Sequence, residues 1–283
     1  MRNETEVIHE LLQFAQDDRV RAVLMNGSRV NPNVTKDLFC DYDVIFVVRD
    51  PKFYVDQQEW ISSFGQLVMM QQNVLRTESE DEYIFLMLFK DGVRIDLSFR
   101  RMETINQHFQ DSLTKVLLDK DNGLKSFEPP SDKSYVTRKP AKDDFDQTIN
   151  DILWCSTNAV KGLWRDELPY VTYMMDIVIK QGVMKLLSWY VGMNHNWNVN
   201  TGTALKWLKK FLPEELWVQY LKTHSGPEYP QRWAALFETI ALTRTLGEEL
   251  ALHLNYLYPE DDHNNVVAYL EQVQALPKDA QVF

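Results

Sequence analysis

The sequence has few cysteines and no long apolar run, and both shortages restrict the class of protein. Its 283 residues include only two cysteines, Cys40 and Cys155, which lie far apart without a CxxC partner. Two such residues cannot build a disulfide framework or a zinc ribbon, so a reducing compartment is expected. No stretch approaches the roughly 18 apolar residues of a membrane span, and the charged first segment, 1–18, holds no apolar signal sequence. We therefore expect a cytoplasmic protein with no membrane partner.

Motifs of several enzyme classes are missing as well. The six histidines are scattered, and none pairs with a cysteine or another histidine at metal-ligand spacing. The sequence contains no Gly-x-Ser-x-Gly elbow and no Walker loop. Zinc hydrolases, serine hydrolases and P-loop proteins are therefore excluded as interpretations.

Positive charge is in deficit, with 30 Lys and Arg against 41 Asp and Glu, which gives a formal net charge of −11. Because phosphate contacts need clustered cations, nucleic acid is not expected as a partner, whereas a cationic small substrate suits this charge. Hydrophobic residues make up 45% of the chain and charged residues 25%, as in a globular protein with a sizeable core. The length is compatible with two domains.

The N-terminal half carries the pattern of an α/β domain. Apolar residues at helical spacing between 4 and 15 predict an amphipathic helix. Apolar runs at 21–25, 44–48, 84–89 and 93–97 predict strands. Asp91-Gly92 lies between the last two runs, and this dipeptide in that position predicts a β-hairpin.

The C-terminal half reads as a helical bundle. A Pro-, Ser- and Lys-rich stretch over 121–144 ends the strand patterns, and we place the domain boundary there, giving domains 1–138 and 139–283. Helical patterns follow at 145–164, 170–191, a pair around 204–221, 232–254 and 264–275. The predicted fold class is thus α/β (α+β), a sheet domain followed by an all-helical domain.

Three aspartates in the N-terminal half form the most informative pattern. Asp41 and Asp43 lie directly before the apolar run 44–48. Because residues i and i+2 of a strand point to the same face, their two carboxylates are expected side by side. Asp96 lies between Ile95 and Leu97, where an unpaired carboxylate would be costly to bury. Mg²⁺ held by these three carboxylates would neutralise them and would bridge the phosphates of a nucleotide. Asp96 is also the candidate general base for an attacking hydroxyl.

Gly27 and Ser28 follow the first predicted strand and supply candidate phosphate contacts. Glycine lets the backbone turn sharply and approach a phosphate, while N–H groups and the Ser28 hydroxyl can hold its oxygens. Arg29 or Asn26 could add donors to the same anion. A Gly-Ser after a strand is usually only a turn, and a lone Asp-x-Asp is usually a solvated strand edge. The ordered combination with Asp96 favours the functional interpretation.

This combination resembles the polymerase-β-like nucleotidyltransferase superfamily. Its Gly-Ser and Asp-x-Asp pattern is matched by Gly27, Ser28, Asp41 and Asp43, and its third acidic residue by Asp96. Within the superfamily the chain is similar to the aminoglycoside 6-adenylyltransferases, or streptomycin adenylyltransferases, over the segments 25–31, 41–45, 91–97, 154–157 and 161–170. The resemblance implies a nucleotidyltransferase mixed-sheet domain with a helical substrate-binding domain, and Asp41, Asp43 and Asp96 as metal ligands.

The resemblance also implies roles in the helical half. Lys161 is a candidate for contact with the triphosphate, since the superfamily uses a helical-domain cation there. A streptomycin-like acceptor carries guanidinium groups, which call for carboxylates and aromatic faces. Asp176, Tyr170 and Trp164 are the candidates, and Asp176 is preferred because an unpaired charge among Met174, Met175, Ile177 and Val178 needs a reason.

The predicted activity is transfer of AMP from Mg·ATP to a hydroxyl of streptomycin with release of pyrophosphate. Two alternatives remain open from the sequence. One keeps the chemistry but changes the acceptor to another hydroxylated small molecule or a protein. The other is a catalytically silent nucleotide-binding module whose helical half binds a partner protein.

Overall fold

The computed structural model describes residues 1–76 and 81–282 and divides the chain into two compact units. The first unit is Met1–Ser134 and the second is Tyr135–Phe283. The division falls between 134 and 135, beside the predicted one between 138 and 139. Among the described residues, no helix is both long and apolar enough to span a membrane.

A six-stranded mixed sheet forms the first unit. Its elements are α1 (Glu4–Phe14), β1 (Val20–Asn26), β2 (Tyr42–Val48), α2 (Pro51–Asp56), β3 (Leu67–Arg76), β4 (Asp81–Phe89), β5 (Arg94–Arg100), α3 (Met102–His108) and β6 (Thr114–Asp119). The strand order is β3-β4-β5-β2-β1-β6. The pair β2–β5 is parallel, and the other neighbouring strands are antiparallel. The predicted mixed-sheet class is confirmed.

The predicted N-terminal helix and four strands are present. Asn3 caps α1 in a capping box with Glu6, and the helix buries Val7 and Leu11 against the sheet, as its apolar spacing indicates. The predicted hairpin joins β4 to β5, and Gly92 has the positive φ, +85°, that this turn requires. The strands β3 and β6 were not predicted. Both are edge strands whose side chains are largely half-buried or exposed, so their short apolar runs, 67–70 and 116–118, do not mark buried strands.

The two faces of the sheet pack against different residues. Successive side chains along each strand point to opposite faces, which decides the face on which a residue lies. One face packs on α1 and a cluster of aromatic residues that includes Phe46, Phe85 and Phe99. The opposite face carries Leu24 and Ile45, which pack with Ile105 of α3. Asp43 has the same strand parity as Ile45, and therefore projects from this second face.

Helices build the second unit around one apolar core. They are α4 (Lys142–Arg165), α5 (Leu168–Tyr173), a π-helical segment (Met174–Ile179), α6 (Lys180–Asn194), α7 (Glu214–Lys222), α8 (Tyr229–Leu254) and α9 (Glu260–Ala275). The predicted all-helical class is confirmed. The helix pair predicted around 204–221 is wrong in its first member, because 203–205 and 208–210 are single 3-10 turns. Ala204 and Leu205 have φ of +52° and +58°, which a right-handed helix cannot contain.

Candidate active site

Strand register brings the two most informative aspartates together on one face of the sheet. In the parallel pair β2–β5, Asp43 is the register partner of Asp96. On the other side of β2, Asn26 of β1 is the register partner of Asp43. Asn26, Asp43 and Asp96 thus form a row across three adjacent strands. Asp41 precedes β2 at the same parity as Asp43, so it lies one row further along.

Gly27 lies against the Asp43 carboxylate. The residue begins a 3-10 turn, Gly27–Val30, with φ of +72°. A Cβ atom there would overlap the Asp43 Oδ2 atom and would lie 2.9 Å from its Cγ. Only glycine combines this backbone conformation with so close an approach. The space beside the carboxylate therefore depends on the absence of a side chain at 27.

The Asp43 carboxylate has a raised pKa, about 6. Burial is the largest cause, followed by the like charges of Asp96 and Asp41, while Arg94 acts in the opposite direction. Two neighbouring carboxylates thus act on Asp43. Such a perturbed acid in a cluster of acids is typical of functional sites.

Arg94 is the cation that meets these acids. Its Nε and Nη2 atoms donate to the two carboxylate oxygens of Asp96 at 2.8 and 2.7 Å. The Nε atom also lies 3.6 Å from an Asp41 oxygen. The pairing with Asp96 is the main cause that raises the pKa of Arg94. Sequence reasoning missed this residue, although its position two before Asp96 on a strand places both side chains on the same face.

Ser28 and Arg29 occupy the turn after β1 with different surroundings. The Ser28 hydroxyl lies 3.2 Å from the Cys40 thiol. The buried Arg29 guanidinium donates to the carbonyl oxygens of Asp41 and Cys40, and it lies 3.7 Å from the ring centroid of Tyr42. Arg29 thus fixes the backbone that carries Asp41, and its contact with phosphate stays a prediction.

The oxygen atoms of the site fit a hard divalent cation by their chemistry. Carboxylates from Asp41, Asp43 and Asp96 lie beside Asn26, whose buried Oδ1 atom has no hydrogen-bond partner in the described part of the chain. Such oxygens are the ligands that Mg²⁺ prefers. As placed, no three His, Cys, Asp or Glu side chains within 1–76 and 81–282 are arranged to hold a metal ion. Arg94 already contacts both oxygens of Asp96.

Asn26 connects this row to β6 through its amide nitrogen. The Nδ2 atom donates to Thr114 Oγ1 at 2.8 Å and to Asp111 Oδ2 at 3.3 Å. Asp111 also contributes to the raised pKa of Asp43. Neither Asp111 nor Cys40 was singled out from the sequence. Asp111 lies near Asn26 because strands from segments more than eighty residues apart pair with each other. Cys40 lies near Ser28 because of the loop before β2.

The candidate residues of the second unit all lie on α4, α5 or the π-helical segment. Lys161 is half-buried on α4. The indole Nε1 of Trp164 donates to the Leu276 carbonyl at 3.3 Å. Tyr170 is exposed and packs beside Gly162 of α4.

Asp176 corrects one premise of the sequence analysis. Its carboxylate is paired, since Arg232 Nη1 donates to Oδ2 at 2.8 Å. Arg232 lies on α8 and is itself buried, so a cross-helix ion pair accounts for a charge among apolar neighbours. The apolar surroundings of Asp176 are therefore not evidence of a ligand. The role of Asp176 in acceptor binding stays a prediction.

Fold and site together define the class of this protein. A mixed sheet with a Gly-Ser turn after its first strand, and aspartates in register on the adjacent parallel strands, is the arrangement of a nucleotidyltransferase. The particular family follows from the whole chain: residues 1–273 match the family described as streptomycin adenylyltransferase. The chain belongs to this family.

Proteins similar to this chain support the same assignment. The chain is 34% identical over 264 residues to an aminoglycoside 6-adenylyltransferase of Campylobacter jejuni, covering 92% of each chain. It is 30% identical to the enzyme of that name in Bacillus subtilis (strain 168), covering 96% of this chain and 98% of the relative. A crystal structure of an aminoglycoside 6-adenyltransferase from Bacillus subtilis matches with a TM-score of 0.50 and 26% identity, covering 98% of this chain and 100% of that one.

Proposed function

We propose that this protein is an aminoglycoside adenylyltransferase that moves AMP from Mg·ATP to a hydroxyl of a streptomycin-like acceptor, with pyrophosphate as the leaving group. Membership of the streptomycin adenylyltransferase family supports the reaction class. The observation that carries the proposal is the register pairing of Asp43 with Asp96, with Gly27 against the Asp43 carboxylate. A silent nucleotide-binding module would have no chemical need for this pairing.

Asp41, Asp43 and Asp96 are the residues that would hold magnesium. When bound, the metal supplies charge stabilisation for the attacking and leaving oxygens of an in-line displacement. Asp43 has the ligand position best defined by the fold, because it lies between Asn26 and Asp96 in the row across the sheet. Burial and the like charges of Asp96 and Asp41 raise the pKa of this carboxyl, and a bound cation would offset both causes.

The turn after β1 would bind the triphosphate. Gly27 leaves the space for a phosphate to approach the backbone, and the Ser28 hydroxyl and the N–H groups of the turn can donate to its oxygens. Arg29 holds the segment before β2 through the Asp41 and Cys40 carbonyls, and its contact with the phosphate remains a prediction. Lys161 is the proposed cation of the helical unit that would share the charge of the departing pyrophosphate.

Asp96 would accept the proton of the attacking hydroxyl. The carboxylate is largely buried, with a side-chain exposure of 15%, and it lies on the face of the sheet that carries Asp43. A general base must reach the hydroxyl within hydrogen-bond distance. Each oxygen of Asp96 keeps a lone pair beside its hydrogen bond from Arg94, and such a lone pair would accept the proton.

A groove in the second unit is the proposed acceptor site. Its volume is about 730 Å³, and the side chains along it include Asp176, Gln181, Ser188, Thr137 and Thr201. Hydroxyls and an amide on a partly apolar surface suit a polyhydroxylated sugar. Asp176 would offer its exposed part to a guanidinium of the acceptor while it keeps Arg232. Another hydroxylated small molecule is the alternative acceptor.

The test uses ATP labelled at the α-phosphate, Mg²⁺ and a panel of aminoglycosides. We expect label transfer to streptomycin, and we expect Asp43→Asn and Asp41→Asn to lower the rate at least about 100-fold, because each removes a metal ligand. Asp121→Asn is the matched control, since Asp121 pairs with Arg21 at the surface. Transfer to a different acceptor supports the alternative, and nucleotide binding without any turnover contradicts catalysis.

A further inference from the structure

Arg94 pairs with two of the three proposed metal ligands. Both oxygens of Asp96 accept hydrogen bonds from its guanidinium, at 2.8 and 2.7 Å, and an Asp41 oxygen is 3.6 Å away. The fork of an arginine matches a carboxylate in this two-point geometry and forms one of the stronger ion pairs in proteins. Arg94 therefore supplies the compensating charge at this end of the site.

Arg94 and Asp96 lie on the same strand, so no loop has to become ordered for their ion pair to form. Arg94 begins β5 and Asp96 follows two residues later, so both side chains leave the same face of the strand. The strand holds the carboxylate in place, while the arginine has a side-chain exposure of 44%. Asp96, with a side-chain exposure of 15%, is the more buried member of the pair.

A divalent cation and this guanidinium compete for the same carboxylates. Both carry positive charge and both would lie against Asp96 and Asp41, so the charge of one opposes the binding of the other. We propose that Arg94 is an internal counter-ion of Asp96 and Asp41 whose charge weakens the binding of a divalent cation at these carboxylates. This inference rests on the proposed function for the identity of the metal ligands.

The proposal has a measurable consequence in the protein without nucleotide. In the wild-type protein the charge of Arg94 opposes a cation at the same carboxylates, so the affinity for the free ion is lowered. Replacement of Arg94 by glutamine removes the competing charge, and we expect it to tighten binding roughly tenfold, the size of one well-formed charged pair. Arg94→Lys retains the charge but cannot bridge both oxygens, and is expected to fall between the two.

The experiment is a titration of the nucleotide-free, full-length protein with Mn²⁺, followed by the electron paramagnetic resonance signal of the free ion. Arg100→Gln is the matched control. Arg100 lies on the same strand and the same face, but pairs with Glu82 at 2.9 Å. We expect its affinity to equal that of the wild type. Asp43→Asn locates the ion, because it is expected to lose binding.

The outcomes separate this inference from the proposed function. Tighter Mn²⁺ binding by Arg94→Gln, with no change in Arg100→Gln, supports it. Equal or weaker binding by Arg94→Gln overturns it, as does an Asp43→Asn variant that binds like the wild type. Absence of Mn²⁺ binding in every variant overturns it too. The label-transfer assay decides the proposed function separately, because turnover with unchanged Mn²⁺ affinity in Arg94→Gln contradicts the counter-ion and leaves the reaction standing.

A second readout guards against a folding defect. Adding Mg²⁺ should raise the melting temperature of Arg94→Gln more than that of the wild type, since tighter binding to the folded state stabilises it more at one ion concentration. Equal increases in the two proteins contradict the counter-ion role, even if both have the same circular dichroism spectrum.

Discussion

At the scale of single residues, the site depends most visibly on Gly27. We expect Gly27→Ala to abolish transfer, because a Cβ atom at φ +72° would displace the Asp43 carboxylate. The same conflict should lower the free energy of unfolding by about 1–3 kcal/mol, the usual cost of a strained backbone position. Urea unfolding and the label-transfer assay measure the two effects.

Gly123→Ala is the control for this change. A Cβ at 123 would meet only the end of the flexible Met102 side chain at 3.3 Å, and no positive φ opposes it. Its unfolding free energy should stay within about 0.5 kcal/mol of the wild type. A Gly27→Ala protein with normal activity would show that the close approach to Asp43 is not required.

The positions of residues were predictable where strand alternation alone fixed them. Asp41 and Asp43 share a face because strands alternate, and Asp96 attracts attention because it lies between apolar neighbours. The pairing of Asp176 with Arg232 was not predictable, since it joins residues 56 positions apart on different helices. Arg94 was within reach of the same alternation rule, but the motif drew attention to the acids alone.

At the scale of elements, the hairpin turn is attached to the start of α1. Arg2 donates from its backbone N and its Nε to Asp91 Oδ2 at 3.0 and 2.9 Å. Hydrogen bonds from Arg2 are the largest cause that lowers the pKa of Asp91. A carboxyl with a lowered pKa in the folded state stabilises the fold above its unfolded pKa and loses that contribution as the pH falls.

Asp91→Asn should therefore lower the free energy of unfolding by about 1 kcal/mol at pH 7, because the partly exposed ion pair is lost. The difference from the wild type should shrink as the pH falls below about 4, where the wild-type carboxyl also becomes neutral in the unfolded chain. Denaturant titrations of both proteins from pH 3 to 7 measure this. A difference that is constant across the range would contradict the assigned role.

Helices and strands with a strong apolar periodicity were predictable from the sequence. Elements that depend on pairing with a neighbouring strand, or on backbone angles in a turn, were not. The buried strands and the long helices α4 and α8 carry apolar periodicity of their own. The edge strand β3 contains exposed Val68, Met69, Val74 and Leu75, and is a strand because β4 pairs with it. The region 203–210 has helix-compatible residues, but positive φ angles at Ala204 and Leu205 break it into turns.

At the scale of the whole molecule, two units with separate cores share one family assignment. The match to the family extends over residues 1–273 and thus covers both units. A change of composition over 121–144 is the sequence signal behind the predicted boundary between 138 and 139. The joint action of Lys161 and the carboxylates was not derivable from spacing, because periodicity specifies elements and not the placement of one unit against another. That action stays a prediction.

The most direct test of the central claim is the mass of the acceptor after incubation of the wild-type protein with ATP, Mg²⁺ and streptomycin. The account predicts that mass spectrometry finds the drug heavier by one AMP group, with an equal amount of pyrophosphate released, and finds neither with Asp43→Asn. Unmodified streptomycin and intact ATP after prolonged incubation with folded wild-type protein would contradict it.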